Sequence, residues 1–277
     1  MPSSVKQLLD LATTQLQNIS DRARQEAKIL LAFQLDRDIL WLMTHESEEI
    51  KEEQAFFDLV NRRVHGEPIE YITNSVSFYS ESFYAAPGAL IARPETEILI
   101  DKVLEALPLD FSGHIVEVGV GSGIISIILA KHLLDASFSA VDISEDALAV
   151  AKINIEKFGL LERIKLFKGD LLSPIEEKID VLVSNPPYIE AGVLLEKPLD
   201  FEPQNALFGG TIGDEILKRL IDEATERQIP IVACEMGYDQ KAAISDYIKI
   251  ERCYDIEFYK DLANFDRGFV MKWRTDA

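Results

Sequence analysis

The sequence predicts an α/β fold: an open sheet flanked by helices, with a small helical bundle in front of it. Three observations carry this. Over residues 4–63 the apolar side chains recur at helical spacing. From His114 the pattern changes to strand, glycine-rich turn and helix. Successive strand-like runs then end on Asp142, Asp170 and Asn185, each delivering a polar residue to one edge of a sheet, where open α/β folds bind their ligands.

The bundle comes first. Leu8, Leu9, Leu11 and Leu16 mark one helix, and Ala27, Ile29, Leu30, Leu31 and Phe33 a second, with Ser20 and Asp21 as cap candidates. Ile39, Leu40, Leu42 and Met43 make a shorter piece. Ser47, Glu48 and Glu49 read as the start of another helix, carrying Phe56, Phe57, Leu59 and Val60. Residues 1–74 thus form a bundle without catalytic punctuation, either a stabilising appendage or a platform that recognises a macromolecular substrate. Gly66-Glu67-Pro68-Ile69-Glu70-Tyr71 breaks the helical pattern, and the aromatic- and serine-rich stretch 76–84 predicts a β-hairpin inside a linker over residues 75–92.

The catalytic-type domain is expected over residues 93–277. It opens with Arg93-Pro94-Glu95-Thr96-Glu97, followed by Ile98, Leu99, Ile100, Val103 and Leu104 at helical spacing. Proline in a first turn with acidic neighbours is how an ordinary helix N-terminus looks. Ile115, Val116 and Val118 then lead a strand into Gly119-Val120-Gly121-Ser122-Gly123, with a buried-type helix over 124–134. Glycines let the backbone turn tightly and approach a ligand, with helix-start N–H groups facing it. The dinucleotide pattern G-x-G-x-x-G is not met, because position 124 is Ile. A ligand with an amino-acid tail and a nucleoside suits the turn better.

The second strand, 138–141, ends in Asp142, about 20 residues beyond the glycines, where an acid can accept ribose hydroxyl hydrogens. Ser144 caps the next helix, with Glu145 and Asp146 in its first turn and Gly159 past its end. A third strand, 164–167, runs into Gly169-Asp170-Leu171. Asp170 can accept from an adenine amino group with Leu171 against the ring, although alone it reads as a surface turn.

The fourth run, Val181-Leu182-Val183-Ser184, stops at Asn185-Pro186-Pro187-Tyr188. Proline removes backbone donors and fixes φ, so the ladder cannot continue. The resulting stiff loop offers an amide oxygen, free backbone carbonyls and a flat ring. Such groups can hold a planar N–H₂ by accepting both its hydrogens. An amide or exocyclic amine nitrogen is a poor nucleophile, so orienting it toward an electrophile is where a protein can help. Taken alone, the same four residues also make a plain strand-ending turn.

Composition narrows the partners. Twenty-eight basic against 48 acidic residues gives a net charge of −20 over 277 residues, a surface that repels phosphate backbones and favours solubility. Direct nucleic-acid binding is not expected. Cys234 and Cys253 lack metal-ligand spacing and read as buried thiols of a reducing cytoplasm. The four histidines form no cluster, so no metal is expected. The first residues lack a signal-peptide core, and no stretch is long enough to span a membrane.

Gly119-Val120-Gly121-Ser122-Gly123, Asp142, Asp170 and Asn185-Pro186-Pro187-Tyr188 resemble the S-adenosylmethionine-dependent methyltransferases of the Rossmann-like class. The Asn-Pro-Pro-Tyr branch of that class methylates planar nitrogens. Gly66-x-Pro68-x-x-Tyr71, Arg93-Pro94-Glu95-Thr96-Glu97, Glu202-Pro203, Ala206-Leu207, Gly209-Gly210, Lys260-Asp261-Leu262 and Asp266-Arg267-Gly268 narrow the likeness to the peptide chain release factor N5-glutamine methyltransferases. Ala92 and Asn74 depart from that family's usual proline and glycine, outside the transfer centre.

The resemblance implies a seven-stranded, mostly parallel sheet, completed by strands over 231–235, 254–259 and 269–273 and helices over 217–223 and 241–248. It implies S-adenosyl-L-methionine as cofactor. Gly119, Val120, Gly121, Ser122 and Gly123 would hold its methionine part, Asp142 its ribose, and Asp170 and Leu171 its adenine, with Asn185 beside it. Asn185, Pro186, Pro187 and Tyr188 would grip the glutamine amide, with Arg93 and Glu95 near the substrate entrance. Glu235 reads as structural or peripheral. The implied partner is a release factor carrying its glutamine in a Gly-Gly-Gln loop. A nucleic-acid adenine methyltransferase, a ribosomal-protein glutamine methyltransferase and a non-catalytic binding protein are the competing readings.

Overall fold

The structure, a computed structural model, describes residues 2–195, 197–251 and 254–274. Cys253, one of the two expected buried thiols, lies outside them. The chain divides into two compact units, Met1–Ser75 with Glu196–Phe201, and Val76–Leu195 with Glu202–Ala277.

The smaller unit holds β1 (Ser3–Ser4), α1 (Val5–Leu16), α2 (Ala23–Leu35), α3 (Ile39–Thr44), β2 (Glu49–Ile50), α4 (Glu53–Val64) and α5 (Ile69–Thr73). Val5, Leu8, Ala12, Leu16, Leu30, Phe56 and Val60 are fully buried, the helical stripe that the spacing predicts. Leu11, Phe33, Leu40 and Met43 are exposed on the far faces. Three local expectations fail here. The break expected over 66–71 ends at Pro68, and Ile69–Thr73 is helical again as α5. Ser20 does not cap α2: its hydroxyl accepts from the Arg22 N–H and donates to Glu26, and Arg22 occupies the cap position without a side-chain bond. Glu49 does not begin a helix either. It pairs antiparallel with Ser4, and α4 starts four residues later. Ser4 in turn caps α1 through a reciprocal pair with Gln7.

The larger unit begins with a hairpin, β3 (Val76–Phe78) and β4 (Glu81–Phe83), and continues through α6 (Thr96–Ala106), β5 (His114–Val118), α7 (Ile124–His132), β6 (Ser137–Asp142), α8 (Glu145–Lys157), β7 (Ile164–Lys168) and β8 (Val181–Ser184). Then follow β9 (Ile189–Glu190), α9 (Gln204–Leu207), β10 (Phe208–Gly210), α10 (Glu215–Glu226), β11 (Ile231–Glu235), α11 (Lys241–Glu251), β12 (Tyr254–Lys260) and β13 (Asp266–Trp273).

Seven strands form one sheet in the order β12-β13-β11-β8-β5-β6-β7. β7, β6, β5, β8 and β11 are parallel, while β13 runs antiparallel between β11 and β12. Both faces are covered, so alternate residues feed different cores: Val181 and Val183 pack on the side of α6, α7 and α8, Leu182 on the side of α10 and α11. The strand order reverses between β5 and β8. That is the switch point of a doubly wound sheet, where the loops after two neighbouring strands diverge and leave a crevice.

Candidate active site

The crevice is a cavity of about 390 Å³ at the carboxyl ends of β5, β6, β7 and β8. Val118 and Ser184 are register partners, so the next residues, Gly119 and Asn185, leave the sheet side by side. A Cβ on Gly119 would stand 3.9 Å from the Asn185 carbonyl oxygen, with the turn at φ +73. Gly121, at φ +52, has open space where a side chain would go. The two loops therefore face each other across a gap that glycine keeps clear.

Asp142, at the end of β6, is buried, and burial raises its carboxyl above the usual range. One oxygen accepts from the Gly121 N–H at 3.0 Å and the other from the Ser144 N–H at 2.9 Å. The Ile143 N–H is a third backbone donor to this carboxylate, so of its four lone pairs one is left for a ribose hydroxyl. Ser144 also caps α8 by accepting from the Ala147 N–H at 3.2 Å.

Asp170 and Leu171 line the next side of the cavity. Asp170 is ion-paired to Arg219 at 2.6 Å, which leaves one oxygen uncommitted. Leu171 is buried at φ +50, a left-handed conformation that costs a branched residue energy and turns the chain sharply after β7.

The opposite wall is Asn185, Pro186 and Pro187 with Arg93. Arg93 is tied to the buried Glu202 at 2.6 Å, and Glu202 also accepts from the Ile91 N–H at 3.0 Å. The Asn185 amide nitrogen donates to Thr96 Oγ1 at 3.1 Å, and the Thr96 hydroxyl donates to Glu235 Oε2 at 2.8 Å.

Three expected site residues do not line the cavity: Gly123, Tyr188 and Glu95. Gly123 is at φ +83 and packs against Ala151 of α8, so it serves the turn from behind. The Tyr188 hydroxyl points to Glu235 Oε1 at 3.4 Å, and burial pushes it up to about 12. Glu95 sits half-buried at the cap position of α6.

Two further positions at or beside the cavity, Glu117 and Asn154, carry no signal that the sequence reading used. Glu117 lines the cavity, accepts the Ser126 N–H at 2.9 Å and the Ser126 hydroxyl, and is raised to about 8 by burial. Its place at a strand end before the glycines was the available signal. Asn154 is fully buried in α8: it accepts from the Tyr84 N–H at 2.7 Å and donates to Tyr84 O at 3.0 Å and Ser122 O at 2.9 Å. It staples the residue after the hairpin to the glycine turn, and nothing in its local sequence announces this. Among the described residues no group of three His, Cys, Asp or Glu side chains is arranged to hold a metal ion. Cys234 is buried, and burial pushes its thiol up.

The profile of the methyltransferase small domain matches residues 95–197, and that of the PrmC N-terminal domain matches residues 7–73. The release factor glutamine methyltransferase of Clostridium acetobutylicum is 37% identical over 274 residues, covering 95% of this chain and 96% of that protein. The chain belongs to the release factor glutamine methyltransferase family. The same-named protein of Koribacter versatilis is 40% identical over 245 residues, covering 85% of this chain and 87% of its own length. A methyltransferase from Pyrococcus furiosus shares the fold, with a TM-score of 0.52 at 20% identity over 70% of this chain and 89% of that one. As a family member the chain is an S-adenosylmethionine-dependent methyltransferase. No helix among the described residues is long and apolar enough to cross a membrane.

The residues present fit the cofactor. The cavity volume lies within the range of about 300–1,000 Å³ usual for small-ligand sites. Gly119 and Gly121 put no side chain into it, and Asp142 keeps acceptor capacity where a ribose would lie.

Proposed function

We propose that this protein transfers the methyl group of S-adenosylmethionine to the N5 amide nitrogen of the glutamine in the Gly-Gly-Gln loop of a peptide chain release factor. The observation that carries the residue assignment is the approach of Gly119 to Asn185 across the switch point, which sets the cofactor turn against the amide-gripping loop. Family membership supports the substrate. The net charge of −20 supports a protein partner over a phosphate backbone.

When bound, S-adenosylmethionine supplies an electrophilic methyl group on a sulfonium, which keeps the bonding pair when the carbon leaves. The chain's own part is positioning. Gly119, Val120, Gly121 and Ser122 hold the methionine part, Asp142 the ribose, and Leu171 with the free oxygen of Asp170 the adenine. Asn185 Oδ1 and the Pro186 carbonyl accept the two N–H bonds of the glutamine amide, so its nitrogen faces the methyl carbon. Pro187 keeps the loop stiff, and Tyr188 braces it from beneath rather than stacking in the cavity. Arg93, held by Glu202, forms the rim, and Glu95 is its half-buried neighbour outside the cavity. Holding two reactants in line removes much of such a barrier. The nitrogen that gains the methyl group gives up one of its two N–H protons to water, leaving a neutral N-methylated amide and a neutral thioether, so no strong base is required.

The test is incubation with labelled cofactor and purified release factor, followed by mass spectrometry of the Gly-Gly-Gln peptide. A methyl group on that glutamine is the expected result. Methyl appearing instead on a ribosomal protein or on adenine overturns the substrate. Asn185→Ala is expected to cut transfer by about 10²-fold or more while S-adenosylhomocysteine binding stays within a few-fold. Normal turnover by that variant removes Asn185 from its role.

A further inference from the structure

An asparagine carboxamide has two ends of nearly equal size and opposite hydrogen-bonding character. Sterics barely distinguish them, yet only the oxygen can accept from a substrate N–H. Something must therefore decide which end of Asn185 faces the cavity. Behind it lies a buried chain of two groups that no sequence motif connects: Thr96 at the start of α6 and Glu235 at the end of β11, respectively 2% and 1% exposed.

We infer that Thr96 and Glu235 are positioning residues that set the orientation of the Asn185 carboxamide, so that its oxygen and not its amino group faces the substrate. The logic is one of proton counting. An ionised carboxylate can only accept, so the single Thr96 hydroxyl proton points at Glu235 Oε2, 2.8 Å away. Thr96 Oγ1 then has only lone pairs left for Asn185, and the group 3.1 Å from it must be the donor, Nδ2. The oxygen is thereby turned outward. Tyr188, from the same loop as Asn185, reaches the other Glu235 oxygen at 3.4 Å, so one carboxylate braces both ends of the motif. Both roles rest on Asn185 being the acceptor for the substrate amide, as proposed above.

The surroundings make this brace depend on ionisation. Glu235 is faced by Thr96 and Glu95 from α6, by Tyr188 from the loop after β8, and by Arg267 from β13. Tyr259 of β12 and the neighbouring Cys234 also lie close. Burial raises Glu235 to about 7, with Thr96 and Arg267 pulling it back down. A protonated Glu235 can itself donate to Thr96, which frees the Thr96 hydroxyl to donate to Asn185 and favours the wrong end. The correct orientation is therefore secured as pH rises through the Glu235 titration.

The experiment compares wild type, Thr96→Val, Thr96→Ser and Glu235→Gln with a release factor as substrate. It reads kcat and KM, the S-adenosylhomocysteine Kd by calorimetry, and the melting temperature. Thr96→Val and Glu235→Gln are expected to lower kcat about tenfold, one hydrogen bond's worth of orientation, with KM and Kd within about twofold. Thr96→Ser restores most of the rate because it keeps the hydroxyl. The wild-type kcat is expected to rise with pH through about 7, and the Glu235→Gln profile to be flat over that range. Folded valine and glutamine variants with wild-type kcat overturn the inference, as does a wild-type profile that is flat through that range. If the valine variant melts below the assay temperature, the glutamine variant and the wild-type profile decide. A wild type that leaves release factor unmethylated overturns the functional reading and the inference together, whereas active variants overturn the inference alone.

Discussion

Gly209→Ala is the most direct probe of how the amide-gripping loop is held. β10 pairs in parallel with β9, the strand directly after Tyr188, with Phe208 opposite Ile189 and Gly210 opposite Glu190. A Cβ at position 209 would press on two backbone carbonyls, Pro187 O and Gly213 O, inside the 3.0 Å that real Cβ atoms essentially never cross. Backbone on both sides cannot swing away as a long side chain would. Gly213 is equally confined, because a Cβ there would sit 2.6 Å from Tyr188 O at a φ of +93. Clearing the contacts at 209 needs a displacement of about 1 Å, and a misplacement of that size can cost about 10²-fold in rate. Overpacking itself costs about 1–3 kcal/mol of stability. The residues that hold the cofactor follow β5, β6 and β7 rather than β8, so the S-adenosylhomocysteine Kd from calorimetry should change far less than the rate. Methyl transfer to release factor should meanwhile fall by about 30- to 100-fold, the same 1 Å misplacement read as a rate. A stable Gly209→Ala protein with unchanged kcat would refute the idea that these glycines hold the backbone of the amide-gripping loop in place at Pro187 and Tyr188.

Asp142→Ala is expected to weaken S-adenosylhomocysteine binding by about 10- to 100-fold, one charge-assisted hydrogen bond's worth, in calorimetry; an unchanged Kd contradicts its ribose role. Asn154→Ala leaves Tyr84 N–H, Tyr84 O and Ser122 O without their partner and should cost about 3 kcal/mol in urea unfolding. A loss of only a few tenths would show that the staple is dispensable. Glu117 and Glu235 are raised by burial from 4.5 to about 8 and about 7, so the stability they contribute is full below pH 4.5 and is lost as pH rises through 7 to 8. The melting temperature of the cofactor-free protein should fall across that window, and less steeply in Glu117→Gln; a flat or rising curve contradicts the sign.

Much of this protein is legible in its sequence because much of it is local. A period of 3.6 or 2 in the apolar residues, a glycine turn after Val118 and two prolines after Asn185 act within a few residues of themselves. They announce the helices, the open sheet and the edge where Asp142, Asp170 and Asn185 arrive. The failures are local as well, but decided at a distance. Ser20 reads as a cap until Glu26 and the Arg22 N–H take its hydroxyl. Glu49 reads as a helix start until Ser4 arrives to pair with it.

What only the tertiary structure decided is which polar groups meet. Nothing in the pattern of β5 or β8 says that these two strands are neighbours, and that adjacency is what sets Gly119 beside Asn185. Glu235 reads as structural or peripheral from its own strand, and Gly209 enters the sequence reading only as half of the Gly209-Gly210 pair of the family resemblance, with no contact attached to it. Hydrogen bonds are short-ranged, so a partner is chosen by packing rather than by spacing along the chain. Thr96 finds its carboxylate 139 residues away, and the Asn185 amide is steered by a hydroxyl 89 residues before it.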